Sequence, residues 1–180
     1  SYFVKLYPPV RQGLSPAMRE LDALELFARS GVPVCRPVAY GEDLARGSFV
    51  VLRGCDGAPL DDVLRDGVGV AGRRLLARRT GELFRRLRQR GLHHRDAYPC
   101  HLFAVPRGDG FELRFIDLTR AGSAPFPRER WFVKDAAQFW YGLPKPPVTR
   151  TDAVRFLRAY CGVTRLDAAA KRFARRVAAK

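Results

Sequence analysis

Long apolar runs are missing from this chain. No stretch approaches the roughly 20 consecutive apolar residues that a membrane-spanning helix needs. The opening SYFVKLYPPVRQG lacks the apolar centre of a cleavable export signal. Cysteine is scarce as well: Cys35, Cys55, Cys100 and Cys161 lie far apart and form no CxxC pair. With no export signal they are expected as reduced thiols, which points to the cytosol. There is neither an internal repeat nor a low-complexity tail. Acidic residues are few, 18 against 33 basic ones, for a net charge of +15. Lysine is rarer still, at Lys5, Lys134, Lys145, Lys171 and Lys180 only; every other basic residue is arginine. Such an excess suits a polyanionic partner, whether nucleic acid, an acidic membrane surface or a phosphorylated substrate. It also suits a coding sequence that writes arginine wherever a surface base is tolerated.

What is present is an ordinary globular composition, 47% hydrophobic over 180 residues, enough for one domain or two small lobes with a real core. SYFVKLY alternates and predicts a strand over residues 2 to 7, ended by Pro8 and Pro9. Ser15 followed by Pro16 marks a helix start. Leu21, Leu24, Phe27 and Ala28 supply the buried stripe of that helix, which Gly31 and Pro33 close. PVAYG and SFVVLR read as two strands joined by the hairpin loop EDLARG, and GCDGAP as an irregular connector before a short helical turn at Asp61 to Arg65. Residues 70 to 90 predict a long helix with Leu76, Leu83 and Leu87 on one face, ended by Gly91. LFAV, the turn PRGDG and ELRFIDL predict a β-hairpin, WFVKDAAQFW a helix, and two more helices follow near 152 to 161 and 165 to 178. The fold class is therefore α+β, strands early and helices late.

All three histidines fall in HHRDAYPCH, residues 93 to 101. His94-Arg95-Asp96 follows a long helix and precedes a hairpin, as the H-R-D catalytic loop of protein kinases does. Five residues after that aspartate a kinase has a metal-binding Asn; here the residue is His101. Asp117 closes the hairpin in FIDL, where the kinase fold carries a metal-binding Asp. Lys5 sits in the first strand, and Glu20 on the next helix is its candidate partner. The helical pattern alone does not separate Glu20 from Glu25. Phosphoryl transfer needs cations on the phosphates, a lysine on the nucleotide and a carboxylate to orient the acceptor hydroxyl, and these residues occur in that order. Zinc at His93, His94, Cys100 and His101 is disfavoured, since adjacent ligands rarely fit one tetrahedron. Cys100 reads better as a buried filler and His93 as a packed ring. Asp135 alone reads as an ordinary helix-surface carboxylate. Nucleic-acid binding has charge in its favour but no module signature.

VKLY, GVPVCRPVAYGE, SFVVL, HHRDAYPCH, FIDLTRA, RWFVKD and TDAVRFLRAY together resemble the lipopolysaccharide kinase family, the WaaP/Kdo kinases of the Gram-negative inner core. The resemblance implies a protein-kinase-like bilobal fold, with a small β-rich N-lobe over residues 1–54 and a larger helical C-lobe over 55–180. Lys5 lies near the start of the chain, so the first two strands and the glycine-rich phosphate loop of a kinase are expected to be lacking. The resemblance carries Lys5 and Glu20 to nucleotide binding, Asp96 to catalysis and Asp117 to the metal; His101, a histidine in the family as well, is expected either as a second, weak metal ligand or as a hydrogen-bond donor to the phosphates. His94 and Asp135 go to support of the catalytic loop. It implies ATP with Mg²⁺, or Mn²⁺ in its place, and phosphorylation of a heptose or Kdo hydroxyl. The implied partner is an anionic glycolipid met peripherally at the cytoplasmic face of the inner membrane. The competing readings are a small-molecule phosphotransferase of the aminoglycoside or choline type, and a non-catalytic pseudokinase-like binding protein.

Overall fold

A computed structural model describes residues 1–180 apart from Leu44 and Asp109. The chain opens with strand β1 (Tyr2–Tyr7) and helix α1 (Pro16–Arg29). The Ser15 side chain caps α1 by accepting from the Met18 amide, and Pro16 occupies the first turn as the sequence predicts. Strands β2 (Pro37–Asp43) and β3 (Gly47–Arg53) follow. β2 runs on through Glu42 and Asp43, so the expected loop EDLARG is shorter than read; its Leu44 lies outside the described residues. The three strands form an antiparallel sheet in the order β1-β3-β2. β1 is an edge strand: Tyr2, Phe3, Val4 and Leu6 are exposed, while Lys5 and Tyr7 share its half-buried face.

The buried face of α1 consists of Ala17, Glu20, Leu21, Ala23, Leu24 and Phe27. Ala28, expected inside, is exposed, and Ala23 takes its place. The stripe is therefore turned toward Glu20, and Glu25 is exposed. The connector is not wholly irregular. A two-residue strand β4 (Ala58–Pro59) pairs with β6 (Leu102–Arg107), and helix α2 (Leu60–Arg65) begins directly after it. Cys35 and Cys55 are joined as a disulfide with Cα atoms 6.6 Å apart. The expectation of four reduced thiols thus fails for this pair, which packing brings together across 20 residues of chain. Cys100 and Cys161 are free, and Cys100 is exposed rather than a buried filler.

Helix α3 (Val70–Arg90) ends at Gly91, whose φ of 66° gives the left-handed cap that glycine adopts without strain. Helices α4 (Glu129–Gly142), α5 (Arg150–Cys161) and α6 (Ala168–Ala178) complete the helical half. α3 and α5 approach closely because Gly81 has no side chain; a Cβ there would strike the Phe156 carbonyl oxygen. Phe84 of α3 sits at the centre of the core, with the rings of Phe115, Phe139 and Phe156 centred 5.2–5.7 Å away. The core is continuous from Leu24, Phe27 and Val50 through Leu76 and Leu87 to Tyr160 and Phe173. β6 pairs with β7 (Gly110–Phe115) in the predicted hairpin, and Asp109 of its turn lies outside the described residues. Two short strands, β5 (Leu92–His93) and β8 (Gly122–Ser123), pair with each other. They bracket the segment that carries the site.

Candidate active site

The loop after β5 is fixed from below by one carboxylate. Asp135 of α4 accepts from the His94 amide at 2.7 Å and the Arg95 amide at 2.9 Å. It is not the helix-surface residue that its sequence position alone suggests: it is buried. Burial pushes its carboxyl up to about 6, against the pull of those two amide donors. Arg95 takes a left-handed φ of 71°, an uncommon conformation for a residue with a side chain, and the Asp135 clamp holds it there. His94 is fully buried, packs on Phe115 at 4.9 Å, and donates from Nε2 to the Ile116 carbonyl at 3.0 Å. Its burial lowers the imidazole to about 4, so the ring is neutral near pH 7. His94 thereby ties the loop to the segment that follows β7. His93 packs on Trp131 at 4.9 Å, the structural role expected of it.

Asp117 does not close the strand as predicted. β7 stops at Phe115, and Asp117 lies two residues on, with a left-handed φ of 55°. The turn swings its carboxylate toward β1 and His101. Lys5 Nζ donates to Glu20 Oε1 at 2.6 Å and to Asp117 Oδ1 at 3.2 Å. Glu20 is fully buried, yet its oxygens are occupied: Tyr7 donates its hydroxyl proton to Oε2, and the Leu118 amide donates to Oε1 at 3.3 Å. Thr119 donates to Asp117 Oδ1 at 3.0 Å. Burial raises the Asp117 carboxyl, but the Lys5 charge and the Lys5 and Thr119 hydrogen bonds outweigh it and hold the group below the usual carboxylate range.

His101 sits at the end of a 3₁₀ turn, Pro99–His101. Its Nδ1 lies 2.8 Å from the Asp96 carbonyl oxygen, an acceptor, so in the neutral ring Nδ1 carries the proton and Nε2 a lone pair. That lone pair faces Asp117 Oδ2 at 3.9 Å. Two electron-rich atoms set toward one another suit a shared cation, and the Nδ1–H bond to a carbonyl is the usual orienting partner of a ligating imidazole. Among the described residues no group of three or more His, Cys, Asp and Glu side chains could hold an ion. The pair therefore fits a cation completed by phosphate and water, the manner of Mg²⁺, and not an all-protein zinc centre at His93, His94, Cys100 and His101. The Asp96 carboxylate, largely shielded, receives Arg120 Nη1 on both oxygens, at 3.1 and 3.0 Å.

Sequence reasoning did not single out Tyr7, Thr119 and Arg120. Tyr7 was within reach, because strand alternation puts it on the face of Lys5. Thr119 and Arg120 depend on the turn at Asp117, which carries no sequence signal of its own.

Two stability effects follow. Glu20→Gln weakens a buried carboxylate that takes three donors. A destabilisation of about 1–3 kcal/mol is expected in urea unfolding. An unchanged midpoint would mean that the pair contributes nothing to folding. Asp135→Asn leaves one oxygen for two amides and turns an NH₂ group on one of them, which is expected to cost about 1–3 kcal/mol as well. Hydrogen exchange at the His94 and Arg95 amides should quicken more than the global loss of stability accounts for. Exchange that merely tracks global unfolding would contradict the clamp.

The model of the lipopolysaccharide kinase (Kdo/WaaP) family matches residues 9–160. Lipopolysaccharide core heptose(I) kinase WaaP of Escherichia coli strain K12 is 30% identical over 170 residues, covering 86% of this chain and 63% of that protein. The protein of the same name from Pseudomonas aeruginosa PAO1 is 30% identical over 186 residues, covering 88% and 69%. The chain thus spans a little under two thirds of the E. coli protein's length. Among solved structures, WaaP in complex with acyl carrier protein aligns with a TM-score of 0.76 at 28% identity, covering 99% of this chain and 75% of that one. The bifunctional kinase-methyltransferase WbdD aligns at 0.53 with 18% identity, covering 98% and 45%, a likeness of fold alone. These alignments bear out the kinase-like α+β fold expected from the sequence. With the family model matched over most of its length, the chain belongs to the lipopolysaccharide kinase (Kdo/WaaP) family.

Proposed function

We propose that this protein transfers the γ-phosphoryl group of ATP to a sugar hydroxyl of the lipopolysaccharide inner core. The observation that carries the reading is the convergence of Lys5, Glu20, Asp96, His101 and Asp117 at one edge of the fold, through Lys5–Asp117 and His101–Asp117. Lys5, steadied by Glu20, contacts the nucleotide phosphates. Asp117 is the principal cation ligand and His101 the second. A cation held by these two residues would supply neutralisation of the phosphate charge. Asp96 orients the acceptor hydroxyl and takes its proton, while His94 and Asp135 hold the loop that presents it. We also propose the division into an N-lobe at 1–54 and a C-lobe at 55–180. Relatives named heptose(I) kinases favour heptose over Kdo as acceptor. They likewise favour a core-sugar kinase over a small-molecule phosphotransferase of the aminoglycoside or choline type.

The test is incubation with ATP, Mg²⁺ and delipidated core oligosaccharide stripped of its phosphates. A mass gain of one phosphate on heptose is expected. No transfer, with intact ATP binding, would favour the pseudokinase reading.

The glycolipid acceptor implies work at the cytoplasmic face of the inner membrane. Among the described residues no helix is long and apolar enough to cross a membrane. The net charge of +15 supports peripheral attachment to an anionic surface. Binding to anionic vesicles is expected to weaken steeply between low and moderate salt, as the Debye length shortens. Salt-independent sedimentation, or equal binding to neutral vesicles, would leave the arginines as mere composition.

A further inference from the structure

An open pocket of about 460 Å³ lies between α1 and the segment leading into β8, lined by Arg95, the residue before Asp96. Arg19, Asp22 and Ala23 line it from α1, Arg95 from the catalytic loop, and Arg120 with its neighbours from the far wall. Three arginines thus line it, against the single lining carboxylate of Asp22. Arg95 stacks over the Trp131 ring at 5.3 Å, and its buried Nε has no hydrogen-bond partner among the described residues. A buried donor without a partner is costly, and an anion in the adjoining pocket would relieve that cost once the Arg95 side chain turns toward it. Arg120 bridges both features: it lines the pocket and also covers both oxygens of Asp96. Half exposed, it is held by no other hydrogen bond or ion pair among the described residues, so little resists its transfer.

We propose that the Arg19–Arg95–Arg120 pocket binds an anionic substituent of the acceptor, the carboxylate or phosphate of an acidic sugar, and that Arg120 moves from Asp96 to that anion when the acceptor arrives. The inference rests on the core-sugar kinase reading and gives it a specificity device. Planar guanidinium forks match both carboxylate and phosphate oxygens. A neutral sugar leaves Arg120 on Asp96, where it competes with the acceptor hydroxyl for the carboxylate. An anionic acceptor removes the competitor as it docks. The pocket volume is within the range that accommodates a small ligand.

The test is steady-state kinetics with three acceptors, each with the target hydroxyl free: core oligosaccharide from cells lacking this kinase activity, which is the intact acceptor, the same material after phosphatase, and the same material after carboxyl reduction. For the wild type, whichever treatment removes the recognised anion should raise KM at least tenfold, which also separates phosphate from carboxylate. Arg19→Ala should raise KM about tenfold for the intact acceptor and less than twofold for the neutralised one. Arg120→Ala should lose on the intact acceptor yet match or exceed the wild type on the neutralised one, because Asp96 is no longer covered. A merely structural arginine lowers both alike. Equal losses on both acceptors, or no discrimination by the wild type, would overturn the proposal. If the wild type phosphorylates no core sugar, the kinase reading has failed and the pocket is judged by calorimetry with glucose 6-phosphate, glucuronate and glucose. Binding of an acidic probe that Arg19→Ala and Arg120→Ala abolish upholds the anion site. Equal affinity for glucose, or none for any probe, rejects it.

Discussion

Asp96→Asn is expected to slow phosphoryl transfer by about 10²–10⁴, the usual contribution of a positioned general base. Asparagine retains the shape of the side chain and can still accept a hydrogen bond from the acceptor, but it cannot take the proton. The folding cost should be small. The Asp96 carboxylate bonds only to Arg120 among the described residues, and that half-exposed pair is worth less than about 1 kcal/mol. The backbone beneath is held independently, by Asp135 on the amides of His94 and Arg95 and by the Tyr98 amide donating to the Asp96 carbonyl at 2.8 Å. Single-turnover rates with ATP and core oligosaccharide, alongside urea unfolding, separate the two effects. A rate within a few-fold of wild type would remove Asp96 from the reaction. A large loss of stability would instead make the residue a strut of the loop.

Much of the framework was legible because local signals agreed. Ser15 and Pro16 start α1, Gly91 ends α3, and alternation marks β1; each is a short-range device that tertiary packing then reinforces. What failed depended on distant partners. Helical spacing predicts an α1 stripe through Ala28, whereas burial of Ala17 and Ala23 turns the face toward Glu20. A buried carboxylate looks wrong in an apolar stripe until Lys5, Tyr7 and the Leu118 amide are seen to satisfy it. The sequence pattern predicts Asp117 at a strand end. Its left-handed turn is set by the His94–Ile116 bond and by its contacts with Lys5 and Thr119, none of which leaves a mark in FIDL. The Cys35–Cys55 pair follows the same rule, since separated cysteines show nothing of their proximity.

Asp117→Asn is expected to cost on the order of 10³ in rate, because charge stabilisation by a bound cation is worth several kcal/mol and each 1.36 kcal/mol is tenfold. On the proposed assignment the loss of one carboxylate is not made up by another, since no group of three His, Cys, Asp and Glu side chains that could hold an ion occurs among the described residues. The amide also lacks the charge that attracts Lys5, which then keeps only Glu20 as an ion-pair partner. Mn²⁺ affinity in the presence of a nucleotide, followed by electron paramagnetic resonance, should fall with the rate, and this readout needs no turnover. His101→Asn tests the proposed second ligand in a different way. An imidazole nitrogen suits Mn²⁺ better than Mg²⁺, whereas an amide oxygen suits Mg²⁺. The variant should therefore keep Mg²⁺-dependent transfer while any preference for Mn²⁺ disappears. It also forfeits the Nδ1–H bond to the Asp96 carbonyl, so a modest rate loss common to both metals is expected from looser placement of Asp96. Inactivity with both ions in a folded protein would make His101 a positioning residue for Asp96, and unchanged Mn²⁺ affinity would exclude it as a ligand.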